Sequence, residues 1–596
     1  MRLNEEERVT TNKKILFVVM LLITTFLFIL LGQLTGAALF FKLTSIPLES
    51  VAYDSLYRYW QEYKFNSQVR PYIQLGIGVS VVIALLSPFL FIKLVMSFQK
   101  KEEIHGSARW ANDKDLKKSG LFPTEYKAPS ILLGKMDRGK YKDCFVELVG
   151  QQFVGISAGT GQGKGVAIVI PNLVNYSDSV VCTDIKLENF EKTAGFRQSQ
   201  GQDVFLFAPD GYAISKNDRE NGVLRTHRWN PFYYIRRNIA YRIGDILTLS
   251  NSIYPLTGDG KSDIWPASSS KLFLGMVLWL LDTESITNRT PTLPYLLELV
   301  GVEGGLKAWM KRELSQRYLS DECEREFNTF LTFPDETQGS ILANFNAPLA
   351  IYSDSTVAKA VSGNDFDFRE LRRKGISIYI GVQPPNKSKF KGLLNLFFEQ
   401  LINENTRVLP ELDPTLTHQC LLLLDEFPAI GRVNQIKESI GFTRQYNLRY
   451  MLIYQDKSQL EDKALYGHEG ADNILSNLAC EIIYPPKVVN KRVKEISDTL
   501  GTKTVKVKSD SVSQGKKQYS KGKNTTSQKR ELMKPDELVA LGFIRHKTVD
   551  IGLKVLLLKE SQRSFIMNKI IYFEEGVMLS RVDYSRNNIP DIPLLK

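Results

Sequence analysis

Residues 157–165, Ser-Ala-Gly-Thr-Gly-Gln-Gly-Lys-Gly, carry the first chemical signal in the chain. Closely spaced glycines let consecutive backbone N–H groups curl around an anion. A helix opening directly after them adds a favourable dipole. In such a loop Gly159, Thr160, Gly161, Gln162, Gly163 and Gly165 cradle phosphates, and Lys164 reaches the β- and γ-phosphates of a nucleotide. Two positions depart from the pattern G-x-x-x-x-G-K-[S/T]. Ala158 stands where the first glycine belongs, and Gly165 stands where a magnesium-binding hydroxyl belongs. Alone, the segment is also compatible with a glycine-rich turn that holds no ligand.

A second motif decides between these readings. Leu421-Leu422-Leu423-Leu424-Asp425-Glu426 is an apolar run ending in two carboxylates. Asp425 is expected to hold Mg2+ through water, and Glu426 to orient or deprotonate the water that attacks ATP. An apolar strand ending in two acids is common at solvent-facing strand ends. A phosphate loop followed by such a pair, in this order, points to ATP and Mg2+ as cofactors and to hydrolysis. Downstream, Arg444 and Gln455 are candidate arginine finger and γ-phosphate sensor, set against ordinary surface or packing roles.

These residues need a sheet to position them. Short, nearly all-apolar runs recur at 153–157, 179–183, 203–207, 376–382, 420–424, 450–454 and 480–484, as expected for strands buried on both faces of a parallel sheet. Alternation with helical stretches reads as a doubly wound α/β domain covering 99–244 and 346–596. Strand-like runs return at 548–558 and 564–572. Residues 245–345 read as an all-α insertion, in which the apolar run 272–281 is too short to span a bilayer. Residues 503–530 carry Lys503, Lys506, Lys508, Lys516, Lys517, Lys521, Lys523, Lys529 and Arg530 against Asp510, and read as a flexible basic loop. It is either solvated or in contact with phosphate backbones.

Two long apolar runs precede this domain, at 15–41 and 72–98. Each is long enough for a transmembrane helix. A cleaved signal peptide would have a shorter apolar core. Arg2, Arg8, Lys13 and Lys14 precede the first run. Lys100, Lys101, Arg109, Lys114, Lys117 and Lys118 follow the second. The intervening loop 42–71 holds Lys42, Arg58, Lys64 and Arg70. The bias places residues 1–14 and the large domain in the cytoplasm and the loop in the periplasm.

The net charge of +12 favours anionic partners, nucleic acid or acidic lipid. The five cysteines and five histidines are scattered and contain no CxxC pair, which argues against a zinc ribbon or a redox motif.

The motif series as a whole resembles the type IV secretion coupling proteins, the TraG/TraD-like conjugative ATPases. The matching segments are His105-Gly-Ser-Ala-Arg109-Trp110-Ala, Gly159 to Gly165, Asp184-Ile-Lys186-Leu-Glu188-Asn189-Phe190, Arg228-Trp229-Asn230-Pro231-Phe232, Asp425-Glu426-Phe427-Pro428 and Tyr454-Gln455. Family members often carry glycine after the phosphate-loop lysine, so Gly165 agrees with them. The resemblance implies a RecA-like P-loop core with an all-helical domain, anchored in the cell inner membrane as a homo-hexamer. It implies an ATPase that couples relaxase-bound single-stranded DNA, effector proteins or both to type IV secretion channel subunits. It also supports Arg444 as an arginine finger across a subunit boundary and Gln455 as a sensor. The alternatives are an FtsK-like chromosomal DNA translocase and a nucleotide-binding membrane docking receptor that does not pump.

Overall fold

In the computed structural model, residues 5–98, 104–125, 128–213, 218, 220–515 and 518–595 are described. Arg2, Lys100, Lys101, Lys516 and Lys517 lie outside them. The chain divides into two compact units, Met1–Ile104 and His105–Lys596.

In the first unit the apolar runs form the helices Glu5–Leu43 and Arg70–Phe98. Within them, Val19–Leu43 and Arg70–Phe91 are long and apolar enough to cross a membrane. The two helices pack backbone to backbone. A Cβ on Gly36 would lie 2.3 Å from the Gly76 carbonyl oxygen. The Ser80 hydroxyl donates to the Gly32 carbonyl at 2.8 Å. Small residues permit such close approach between helices in lipid, where hydrophobicity alone does not drive association. The loop expected at 42–71 is partly ordered into a helix, Ser55–Tyr63. Its Tyr59 ring sits 5.3 Å from both Phe40 and Phe41, so these aromatics pack on the helix ends, while Tyr53 and Tyr57 stay exposed.

In the second unit an eleven-stranded sheet forms the core. Its strands are β1 (Ser130–Lys135), β2 (Phe145–Val149), β3 (Val154–Ser157), β4 (Ser179–Asp184), β5 (Asp203–Phe207), β6 (Ile376–Gly381), β7 (Cys420–Leu424), β8 (Leu448–Tyr454), β9 (Cys480–Ile483), β12 (Lys554–Lys559) and β13 (Phe565–Asn568). The strands β10 (Thr502–Gly515) and β11 (Gln518–Glu531) pair separately. The sheet order is β2-β1-β13-β12-β9-β3-β8-β7-β4-β6-β5. From β9 to β5 the pairing is parallel; from β12 to β2 it is antiparallel. The parallel strands β3, β4, β6, β7 and β8 are buried along their whole length.

Three features differ from the sequence expectation. The sheet is mixed rather than purely parallel, because β12, β13, β1 and β2 extend it, and β1 and β2, which contain Gly134 and Glu147, lie outside the expected strand runs. Between β5 and β6 the helices start earlier and end later than 245–345, running from Ile239–Ile253 to Ser355–Ala360. The apolar run 272–281 belongs to a 19-residue helix, Ile264–Asp282, which by length and composition is long enough to cross a membrane. Its apolar face instead fills the helical domain: Phe273, Met276, Val277 and Leu278 are fully buried, and Trp279 packs edge-on against Trp309 at 4.9 Å.

The third difference is residues 503–530, expected as a flexible loop. Thr502–Gly515 and Gln518–Glu531 form an antiparallel ribbon, with Thr502 opposite Glu531 and Gly515 opposite Gln518. The alternation Thr504-Val505-Lys506-Val507-Lys508 is a period-two strand pattern with the valines on one side and the lysines on the other.

Candidate nucleotide-binding site

In a parallel sheet the C-terminal strand ends share one edge, where open α/β sheets bind ligands. Here β3 delivers the phosphate loop, β4 delivers Asp184, β7 delivers Asp425 and Glu426, and β8 delivers Gln455. The strand β8 lies between β3 and β7, pairing Ser157 with Tyr454 and Leu424 with Leu452. Two strand spacings hold the phosphate loop and the carboxylates about 10 Å apart. A cleft of about 280 Å³ opens between them. It is lined by Thr160, Gly161, Lys164, Gly165, Asp184, Ile185, Lys186, Glu188, Asn189, Asp425, Glu426 and Gln455.

The loop itself is closed by its own side chain. The Gly159 N–H donates to Gln162 Oε1 at 2.6 Å, and Gln162 Nε2 donates to the Pro485 carbonyl at 2.6 Å. Gly161 and Gly163 adopt φ of +77° and +79°, a region in which a side chain would be strained. Beyond Lys164 the chain makes a wide π-type turn, Gly165–Val169, before the α-helix Ile170–Asn175. A Cβ on Gly165 would meet nothing within 4 Å, so the missing hydroxyl is not excluded by packing.

Asp425 fits a cation. Its Oδ1 is buried and has no hydrogen-bond partner among the described residues. Burial raises its pKa, Lys164 opposes that rise, and Glu426 adds to it. Asp184, fully buried beside it, is pushed up to about 7, chiefly by burial; the Phe190 N–H on its Oδ2 at 2.7 Å pulls the other way. Among the described residues no three His, Cys, Asp or Glu side chains cluster as a metal cage. Magnesium suits this arrangement, since it keeps several waters and takes one or two carboxylates plus substrate phosphates. Glu426 is held in a left-handed backbone conformation, φ +68°, and pairs with Lys387 Nζ at 3.1 Å.

The sequence reading singled out most of this cleft, but it gave Asp184, Lys186, Glu188 and Asn189 no role and passed over Lys387. The first four stand in a motif already noted. Lys387 carries no local signal, because only the β6–β7 crossover brings it to Glu426.

Arg444 lies elsewhere. It precedes β8, at the edge opposite the cleft. Its guanidinium donates to the Asn477 carbonyl and stacks 4.9 Å over the Phe153 ring. Phe153 precedes β3, whose length alone separates Arg444 from the phosphate loop by about 13 Å.

Comparison with known proteins places this geometry. A family described as Type IV secretory system Conjugative DNA transfer matches residues 109–589. A conjugal transfer protein TraG of Escherichia coli is 28% identical over 487 residues, covering 75% of this chain and 73% of the relative. The protein VirD4 of Agrobacterium fabrum is 25% identical over 537 residues, covering 89% and 75%. Among solved structures, the plasmid coupling protein TrwB in complex with the ATP analogue ADPNP superposes with a TM-score of 0.54 at 14% identity, covering 78% of this chain and 93% of TrwB. TrwB in complex with ADP and Mg2+ gives 0.52 at 15% identity, covering 78% and 94%. The shared fold is a RecA-like P-loop core with a helical insertion. Since the matched family spans nearly the whole of the second unit, motifs and sheet included, this chain belongs to the type IV secretory system conjugative DNA transfer family.

Proposed function

We propose that this chain is a membrane-anchored coupling ATPase that hydrolyses ATP to drive substrate into a type IV secretion channel. The observation that carries the reading is the convergence of Lys164, Asp425, Glu426 and Gln455 on one cleft, with a buried carboxylate oxygen of Asp425 left for a cation. Lys164 and the loop N–H groups bind the β- and γ-phosphates and offset the charge that develops on transfer. Asp425 would hold magnesium, which when bound would neutralise phosphate charge. Glu426 orients or deprotonates the attacking water, which requires its carboxylate to exchange Lys387 for that water. Gln455 senses the γ-phosphate from the strand between the two motifs.

In the same reading, the helices at 15–41 and 72–98 span the inner membrane with the 42–71 loop in the periplasm and the ATPase in the cytoplasm. The helical domain and the basic ribbon are the surfaces for cargo, single-stranded DNA with its relaxase or effector proteins, and six copies form the working ring. The family match favours this over an FtsK-like translocase. A docking receptor that binds nucleotide without pumping is the competing reading, because Gly165 withholds one magnesium ligand. ATPase assay of the full chain, with and without single-stranded DNA, separates them. DNA-stimulated hydrolysis that disappears in Lys164→Ala and Glu426→Ala is expected. Hydrolysis unchanged in both variants would reject the site, and nucleotide binding without any hydrolysis would favour the receptor.

A further inference from the structure

Lys569 is a buried amine with no carboxylate partner among the described residues. It follows β13 and is 5% exposed, and no ion pair among the described residues includes it. Its Nζ donates to the Gln162 carbonyl at 2.8 Å and lies 4.0 Å from the Tyr484 ring centre. Its own N–H is tied to the Leu553 carbonyl at 2.8 Å, so its backbone is fixed by the antiparallel part of the sheet. Burying an ammonium without a counter-charge is costly, so its presence behind the phosphate loop needs a reason.

The contact has a definite consequence. In a trans peptide the carbonyl oxygen and the following N–H point in opposite directions. Lys569 takes the Gln162 carbonyl, so the Gly163 N–H is directed away from Lys569. Lys569 does not line the cleft; Thr160, Gly161, Lys164 and Gly165 do. Gly161 and Gly163, on either side of Gln162, are the residues whose backbone rotates most freely, and without an anchor this peptide could turn over. Ile551 closes the remaining space, since a Cβ on Gly163 would stand 2.8 Å from its Cδ1.

We infer that Lys569 is a positioning residue for nucleotide binding: from the rear of the loop it fixes and polarises the Gln162–Gly163 peptide so that the Gly163 N–H is presented to a bound phosphate. A carbonyl bonded to a cation makes the N–H of the same peptide a better donor. Burial, with Arg545 adding to it, lowers the Lys569 pKa to about 7, as expected for an amine held against its own charge preference. The bound nucleotide supplies the anion that Lys569 lacks. The inference rests on the nucleotide-site reading above and adds a residue from the C-terminal part of the chain that its motifs do not include.

The test uses the full chain in detergent, with Mg2+·ADP affinity and thermal midpoint measured for wild type, Lys569→Met, Lys569→Gln, Lys569→Arg and Lys164→Ala. Lys569→Met is expected to weaken Mg2+·ADP binding about tenfold while the midpoint stays level or rises, because an unpaired buried charge has been removed. Lys569→Arg is expected to recover part of the loss. A structural role would lower affinity and midpoint together. Binding within about twofold of wild type in Lys569→Met, or failure of both the Met and Gln variants to fold, would overturn the inference. Lys164→Ala separates the two readings. If it binds as wild type, the nucleotide site itself is wrong; if it loses binding while Lys569→Met keeps it, only the role of Lys569 falls.

Discussion

Gly165 shows how a single residue can be misjudged from a pattern. The simple phosphate-loop rule wants a hydroxyl there, yet the position has open space around its missing side chain. A Gly165→Ser variant is therefore expected to fold with no loss of thermal midpoint. If the hydroxyl enters the magnesium shell as the rule supposes, the Mg2+ concentration for half-maximal ATPase falls several-fold. A midpoint lowered by more than a few degrees would show that the wide turn after Lys164 needs glycine for its backbone.

At the scale of elements, the basic ribbon is the part whose reading changed most. As a loop its lysines would be scattered; as an antiparallel pair they are sorted by register. Lys506 and Lys508, and Lys529 opposite Thr504, share one face and are exposed, whereas Lys503 and Arg530 face each other on the other side at the ribbon base. There Arg530 pairs with Glu537. If the exposed face contacts single-stranded DNA, affinity falls with salt as about −0.7 per neutralised phosphate. Replacing Lys506, Lys508 and Lys529 together by Ala should flatten the slope of log K against log salt by about 2, with basal ATPase unchanged. An unaltered slope would leave the ribbon without a role in DNA contact.

At the scale of the whole molecule, Arg444 defines the question. Within one chain it cannot reach the cleft, because it caps the opposite edge of the sheet against Phe153 and Asn477. Its Nε is buried without a hydrogen-bond partner among the described residues. An arginine finger would have to serve a neighbouring subunit. Mixing inactive Arg444→Ala chains with inactive Glu426→Ala chains should then restore part of the ATPase activity, since some interfaces would pair an intact finger with an intact cleft. Absence of recovery at every mixing ratio would assign Arg444 to packing.

The amino-acid sequence by itself determined the motifs that suggest the chemistry of this protein and the long apolar runs that suggest an anchor. Phosphate cradles depend on consecutive glycines, carboxylate pairs on the end of an apolar strand, and membrane spans on run length. All three are local properties, legible at Gly159–Gly165, Asp425-Glu426 and residues 15–41 without any fold. The tertiary structure decided what depends on distant segments meeting. The β8 strand separates Lys164 from Asp425 and brings Gln455 between them. The crossover after β6 sets Lys387 on Glu426. The end of β13 places Lys569, 407 positions beyond Gln162, behind the loop. Strand pairing over such separations is set by burial and register across the whole sheet, and no local pattern around Lys569 or Lys387 encodes it.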